Sequence, residues 1–179
     1  MKKLFLLGMM CLMALSIQAQ KSCVELDFQL GTNVTDRGDS VFSSSVEDST
    51  GYTDLGLPSG TKWKNFNATG FYTYDEAVSK FGNRLPTKEQ WEELKSECQW
   101  TWNGSGYKVP GPNGNSIVLP ASGYRDCVGS VNDVGSFGSY WSSIPEDSDY
   151  AWNLDFGSGG VFVNDYDRCS GQSVRLVQD

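Results

Sequence analysis

Two short helix signals, followed by a series of short strand signals, restrict the folds that are open to this chain. Thr73 with Glu76, and Thr87 with Gln90, form the Thr-x-x-Glu/Gln pattern in which two side chains bond the free backbone N–H groups of a helix start. After Cys98 the sequence changes to short runs of strand-forming residues separated by glycine, asparagine and proline. This order favours an α+β fold, with two short helices packed on a twisted antiparallel sheet with long loops.

Each predicted helix has one apolar side, so each is expected to lie against the sheet. The apolar positions are Tyr74, Ala77, Val78 and Phe81 in the first helix and Trp91, Leu94 and Cys98 in the second. The Asn103-Gly104 pair predicts the turn of a β-hairpin. The predicted strands are residues 52–57, 61–63, 100–102, 107–109, 117–119, 140–142, 151–156, 160–164 and 173–177.

The first 20 residues predict export. Lys2 and Lys3 precede an almost wholly apolar run that ends before Ala19 and Gln20, which is typical of a secretory signal peptide. A lipid-modified Cys23 is the alternative amino terminus. Residues 21–51 form a predicted polar tether and residues 52–179 the folded domain, so the protein is expected to be secreted, periplasmic or on the outer cell surface. No transmembrane segment is expected, since no later stretch approaches the roughly 20 apolar residues that a spanning helix needs.

Charge and composition argue against several function classes. The formal net charge of −8 makes nucleic acid an unfavourable partner, because its phosphates would be repelled. The chain has no histidine, so a Ser/His/Asp or Cys/His catalytic group cannot form. No catalytic residue, cofactor or metal ligand is therefore predicted. Calcium remains an alternative because aspartates crowd the last third of the chain, although no twelve-residue calcium loop is present. These aspartates are Asp147, Asp149, Asp155, Asp165 and Asp167.

Four cysteines follow the predicted signal peptide, and they allow three pairings. We favour a disulfide between Cys127 and Cys169, because each follows an arginine-containing polar turn where a covalent bond would restrain irregular loops. Cys98 occupies a predicted core position of a helix. The other pairings, and free thiols, remain open from the sequence.

Several separate motifs resemble the Fibrobacter succinogenes major paralogous domain family. They are "DLGLPSGTKW", "RLPTKEQWEEL", "GPNGNSIVLPASGYRD", "GSYWSS" and "GQSVRLV", in this order from about Asp54 to Val177. The resemblance implies a C-type-lectin-like fold. Domains of this family are common in secreted proteins of gut bacteroidetes. The resemblance implies the fold more strongly than any particular ligand.

The closing motifs "YWSS", "AWNLDF" and "SVRLV" are also similar to variable proteins that retroelements diversify, which share the lectin-like fold. This resemblance implies framework roles for Tyr140, Trp141, Ser142, Ser143, Ala151, Leu154, Phe156, Gly171, Ser173, Val174 and Arg175. It implies an exposed, ligand-facing surface made of Asp149, Tyr150, Trp152, Asn153, Asp155, Phe162, Asn164, Asp165, Tyr166 and Asp167. A more distant resemblance, carried by "RLPTKEQWEEL", is to the formylglycine-generating enzymes that modify sulfatases, but their closely spaced reactive cysteine pair is missing.

The sequence thus predicts a binding or adhesion module, not an enzyme. Its ligand would be an extracellular glycan or protein, recognised through the carboxyl-terminal loop and strand surface. Aromatic side chains mixed with Asn and Asp are typical of binding surfaces built from loops. A structural or assembly subunit of a surface appendage is the alternative, followed by an enzyme of the formylglycine-generating type.

Overall fold

The computed structural model describes residues 51–179, so the predicted signal peptide, Cys23 and all but the last residue of the predicted tether lie outside it. The strands are β1 (Tyr52–Asp54), β2 (Lys62–Lys64), β3 (Thr101–Trp102), β4 (Gly106–Pro110), β5 (Ser116–Pro120), β6 (Tyr124–Arg125), β7 (Val131–Asn132), β8 (Phe137–Pro145), β9 (Tyr150–Gly157), β10 (Gly160–Asp167) and β11 (Val177–Gln178). The helices are α1 (Tyr74–Phe81) and α2 (Lys88–Glu97), and a short 3₁₀ helix covers Gly82–Arg84.

The strands form small antiparallel sheets. Their orders are β1-β2-β11, β10-β9-β8 and β3-β4-β5, with β6 and β7 as a separate pair. Every pair of named strands is antiparallel. The predicted mixed α+β class, with two short helices and mostly antiparallel strands, is confirmed. Within residues 51–179, no helix has the length and apolar character that crossing a membrane requires.

Both predicted helix starts are confirmed, including the reciprocal hydrogen bonds of their first turns. The backbone N–H of Glu76 donates to Thr73 Oγ1 at 3.4 Å, and that of Thr73 donates to Glu76 Oε2 at 2.9 Å. In the second helix the Gln90 N–H donates to Thr87 Oγ1 at 3.2 Å, and the Thr87 N–H to Gln90 Oε1 at 2.9 Å. The predicted capping side chains therefore mark the residue at which each helix begins.

Two clusters of buried side chains join the helices to the strands. In the first, the Trp91 ring of α2 lies 4.7 Å from the Trp63 ring of β2, measured between centroids. In the second, α1 packs on β8, and Trp141 Nε1 donates to the Tyr72 carbonyl at 2.7 Å. The prediction that Val78 belongs to the buried stripe of α1 is wrong, because Val78 is 38% exposed. Each residue turns the helix by 100°, so Val78 points about 70° away from the mean direction of the buried residues Tyr74, Ala77 and Phe81.

The carboxyl-terminal segment differs from the predicted strand 173–177, of which only Val177 belongs to a strand. Its backbone bonds go to several separate parts of the chain. The Ser173 carbonyl accepts from Trp141 N at 3.2 Å, and the Val174 carbonyl accepts from Ala68 N at 2.9 Å. The segment therefore passes from one sheet to another, and its backbone does not form a continuous series of hydrogen bonds with a single neighbouring strand.

Candidate functional site

The β9–β10 hairpin carries nine of the ten predicted ligand-facing residues, but it divides them between its two faces. Successive strand residues point to opposite faces, and the register pairs Trp152 with Asp165 and Asn153 with Asn164. The Trp152 face carries Tyr150, Trp152, Leu154, Phe156, Asp165 and Asp167. The Asp155 face carries Asn153, Asp155, Phe162, Asn164 and Tyr166, together with Ser139 of β8. The prediction that these residues form one surface is therefore wrong, because they lie on two opposite faces of the hairpin.

The Trp152 face is largely occupied by the fold itself. Leu154 and Phe156 are buried in the first core cluster. The Trp152 ring is half-buried, and the Lys88 ammonium lies 3.1 Å from its centroid, which is a close cation–π contact. Tyr150, Asp165 and Asp167 remain exposed on this face.

The tenth residue, Asp149, precedes β9 and lies at a cavity of about 530 Å³ with Tyr150 and Asp167. The Arg168 guanidinium closes one side of this cavity through an ion pair with Asp75. It also donates to the Asp147 carbonyl at 3.1 Å. Three of the predicted residues, Asp149, Tyr150 and Asp167, therefore lie together at this cavity, and none of them belongs to the Asp155 face.

The Asp155 face contains a buried hydrogen-bond network. Ser139 Oγ donates to Asp155 Oδ1 at 2.6 Å, and Asn153 Nδ2 donates to the same oxygen at 2.8 Å. Asn153 Nδ2 also lies 3.1 Å from Ser139 Oγ and 3.2 Å from Gln172 Oε1. These four residues, Ser139, Asn153, Asp155 and Gln172, are called the polar network below.

The prediction that Asn153 and Asp155 are exposed is wrong, because their exposed fractions are 0% and 7%. Both belong to β9, the central strand of its sheet, so β8 and β10 flank them on either side. On the same face the Tyr124 ring lies 6.1 Å from the Phe137 ring and 5.8 Å from the Tyr166 ring. Three aromatic side chains that contact one another therefore lie on the same side of the sheet as the polar network.

Two atoms of the polar network have no partner within the described residues. They are the Asn153 carbonyl oxygen, Oδ1, and the Gln172 amide nitrogen, Nε2, and both are buried. An unsatisfied buried polar group costs roughly 1–3 kcal/mol. One atom accepts a hydrogen bond and the other donates one, so a hydroxyl group has the chemistry to satisfy either of them.

Burial raises the pKa of the Asp155 carboxyl to about 6, and the hydrogen bonds from Ser139 and Asn153 offset this effect only in part. The neighbouring Tyr166 hydroxyl has its pKa raised to about 12, first by burial and then by Tyr124 and the Asp155 charge. The protein therefore contains a carboxylate that titrates near pH 6, next to the Tyr166 phenol, which stays protonated at that pH.

Asp155→Asn is expected to raise the free energy of unfolding by about 2–3 kcal/mol at pH 7.5 and to change it little at pH 4. The folded-state pKa lies above the unfolded value, so the folded protein loses stability as pH rises from about 4 to 6, and the loss is complete above that range. Urea unfolding between pH 4 and 8 measures this change. Asp165→Asn, an exposed substitution on β10, is the control. An unchanged pH profile in Asp155→Asn would contradict the raised pKa.

Sequence reasoning missed Ser139, Gln172 and Tyr124 as parts of this region. A signal for half of the network was present, since Asn153 and Asp155 alternate with the apolar residues Leu154 and Phe156. That alternation indicates one polar and one apolar face of a strand. Ser139 and Gln172 join only through tertiary contacts. No three Cys, Asp or Glu side chains in the described part of the chain are grouped so that they could hold a metal ion.

Comparison with known families gives a match to part of the chain. A model of a domain of unknown function, DUF8237, matches residues 112–177. The matched segment includes the β9–β10 hairpin and the entire polar network. No curated protein and no solved structure matches the chain.

Proposed function

We propose that the protein is a secreted or surface-displayed binding module that recognises a glycan or protein ligand, and that the Asp155 face is its contact surface. The observation that supports this most is the polar network, with one unpartnered acceptor and one unpartnered donor. Apolar side chains of similar size would hold the same sheet position at lower cost, because burying polar groups without partners is unfavourable. Polar groups kept at such a cost, with a perturbed carboxyl among them, are frequent at functional sites.

The exposed side chains above the network suit a binding role. Phe162 is 53% exposed and pairs across the hairpin with Asp155, and the exposed Asn164 pairs with Asn153. An aromatic ring supplies a rigid apolar contact area, and an amide supplies adaptable hydrogen bonds. A ring of this kind can also stack on the apolar side of a sugar.

The test is a binding assay with one variant for each face of the hairpin. The double variant Phe162→Ala/Asn164→Ala removes exposed contacts of the Asp155 face, and Tyr150→Ala/Asp165→Ala is its matched control on the Trp152 face. The unmodified mature protein and both variants would be applied to a glycan array and to immobilised bacterial and host surface extracts, with and without calcium. We expect saturable binding that weakens at least tenfold in the first variant and is retained in the control.

Equal binding by both variants, or no binding by the unmodified protein, would contradict the proposal. Binding on the array would identify a glycan ligand, and protease-sensitive binding to the extracts would identify a protein. Circular dichroism would confirm that each variant is folded before its binding is compared.

The C-type-lectin-like fold and export are parts of the same proposal. The ordered motifs from Asp54 to Val177, and two helices joined to antiparallel sheets, support the fold. The apolar amino-terminal run supports export. An experimental structure compared with lectin-like domains, and amino-terminal sequencing of the mature protein, test these two parts.

One observation favours the alternative of an assembly subunit. Three valines at the β6–β7 hairpin, Val128, Val131 and Val134, are exposed. Exposed apolar residues that lie close together often mark protein–protein contacts. Sedimentation at increasing protein concentration distinguishes the two functions, since an assembly subunit would self-associate and a binding module would remain monomeric.

A further inference from the structure

A second cavity, of about 640 Å³, lies between the segment after β2 and strand β5. It contains no residue of the β9–β10 hairpin. Its lining residues are Thr53, Asn65, Phe66, Asn67, Gly114, Asn115, Ser116, Ile117, Val118, Pro120 and Arg175. Its volume is within the range of cavities that bind small molecules, roughly 300–1,000 Å³.

Arg175 joins the two walls of this cavity. Its Nε donates to Asn67 Oδ1 at 2.9 Å, and its Nη1 donates to the carbonyls of Lys64 at 2.7 Å and Asn65 at 2.9 Å. Its Nη2 donates to the Val118 carbonyl at 2.7 Å. Arg175 therefore links the two walls of the cavity through four hydrogen bonds.

The charge of Arg175 is not neutralised by the protein. All four acceptor oxygens are neutral, and the lining of the cavity contains no Asp or Glu. Arg175 is 0% exposed and is the one buried cation among residues 51–179. Burial lowers its pKa to about 10, so the guanidinium remains charged at neutral pH. Charges taken out of water are costly unless an opposite charge lies nearby.

The other lining groups are amides, hydroxyls and apolar surfaces. The Phe66 side chain is 78% exposed at the cavity, and Ile117, Val118 and Pro120 add aliphatic surface. Thr53 Oγ1 donates to Asn65 Oδ1 at 2.6 Å, and Asn115 Nδ2 donates to the Asp54 carbonyl at 2.8 Å. The Asn65 amide nitrogen, the Asn115 amide oxygen and the Ser116 hydroxyl supply the remaining donors and acceptors. A ligand that matches this lining has hydroxyl groups, an apolar ring side and a negative charge.

We propose that this cavity binds a carboxylated monosaccharide, with its carboxylate towards Arg175 and its ring against Phe66. Because Arg175 is fully buried, the carboxylate supplies the opposite charge from within the cavity and not by direct contact, and this attraction is stronger than between two charges in bulk water. A single negative charge matches the single buried cation. A doubly charged phosphate would leave an excess negative charge on a chain that already carries a formal −8. The hydroxyls of the sugar match the amide and hydroxyl lining.

The test compares methyl glucuronide with methyl glucoside, which has the same ring without the carboxylate. Binding to the folded mature protein would be followed by isothermal titration calorimetry and by ligand-observed NMR. We expect the glucuronide to bind at least tenfold more tightly than the glucoside. Equal affinities, or no binding of the glucuronide up to millimolar concentrations, would overturn the proposal.

A pair of variants at one position tests the charge without removing Arg175. Val118 lines the cavity with a partly exposed side chain, so Val118→Asp places a competing carboxylate there and Val118→Asn is its neutral control. Glucuronide binding should be lost in Val118→Asp and retained within threefold in Val118→Asn. Retained binding in Val118→Asp would show that the charge of Arg175 does not direct the ligand.

Two further measurements identify the ligand class and the site. Phe66→Ala should weaken glucuronide binding at least tenfold, whereas Val128→Ala, at an exposed position outside the cavity, should not. An N-acetylated amino acid with the same single carboxylate should bind at least tenfold more weakly, and equal binding would overturn the sugar assignment. Phe162→Ala/Asn164→Ala should leave glucuronide binding unchanged, so failure at one site does not imply failure at the other.

Discussion

Arg175→Met is expected to lower the free energy of unfolding by about 4 kcal/mol. Methionine preserves most of the side-chain length but removes every donor, so three backbone carbonyls and the Asn67 amide oxygen lose their partner. Each buried polar group that is left unsatisfied costs roughly 1–3 kcal/mol. Since these acceptors lie at the end of β2, in the segment that follows it and in β5, the substitution also removes hydrogen bonds between separate parts of the fold.

Urea unfolding followed by tryptophan fluorescence measures this loss. Arg84→Met is the matched control, because Arg84 is exposed and should contribute less than about 0.5 kcal/mol. If Arg175→Met does not fold, Arg175→Lys keeps the charge with fewer donors and should show an intermediate loss. A loss below about 1 kcal/mol in the methionine variant, or full stability in the lysine variant, would contradict this role.

Removing the Cys127–Cys169 disulfide is expected to lower the free energy of unfolding by a similar amount, about 4 kcal/mol. The bond closes a loop across a sequence separation of 42 residues, and the loss of that constraint mainly increases the conformational freedom of the unfolded chain. Beside it, Arg125 and Gly171 exchange two backbone hydrogen bonds of 2.7 Å each. These bonds should keep the local folded structure in place when the disulfide is absent.

The double variant Cys127→Ser/Cys169→Ser and the reduced unmodified protein should unfold at the same urea concentration, below that of the oxidised protein. Near-identical circular dichroism in the absence of urea would show that the folded state is preserved. A reductant that leaves the unfolding midpoint unchanged would contradict the expected contribution of the disulfide.

The features predicted correctly from the sequence are those that depend on neighbouring residues. Thr73 and Thr87 begin helices through side chains three positions away, and Asn103-Gly104 lies between two paired strands. The favoured disulfide is also confirmed. Its prediction used the polar turns before Cys127 and Cys169, which are local features as well.

The features that were predicted wrongly depend on distant parts of the chain. Asn153 and Asp155 are buried with side chains from distant parts of the chain, Ser139 and Gln172, and these neighbours are not contained in the strand's own sequence. The segment before Val177 is irregular because it bonds several separate elements. The polar network requires Gln172, which no periodicity connects with β9. The candidate site was therefore only partly predictable, although most of the elements that carry it were.

Cys98, buried at the end of α2, has a consequence for the chemistry of sulfur in this protein. Burial, followed by the charges of Glu97 and Glu93, raises the pKa of its thiol to about 11. Only about one molecule in three thousand would then carry the reactive thiolate at pH 7.5. Exchange with a disulfide requires that thiolate and access to the sulfur under attack. Cys98 is thus a poor nucleophile, and we expect it to attack the Cys127–Cys169 disulfide only slowly.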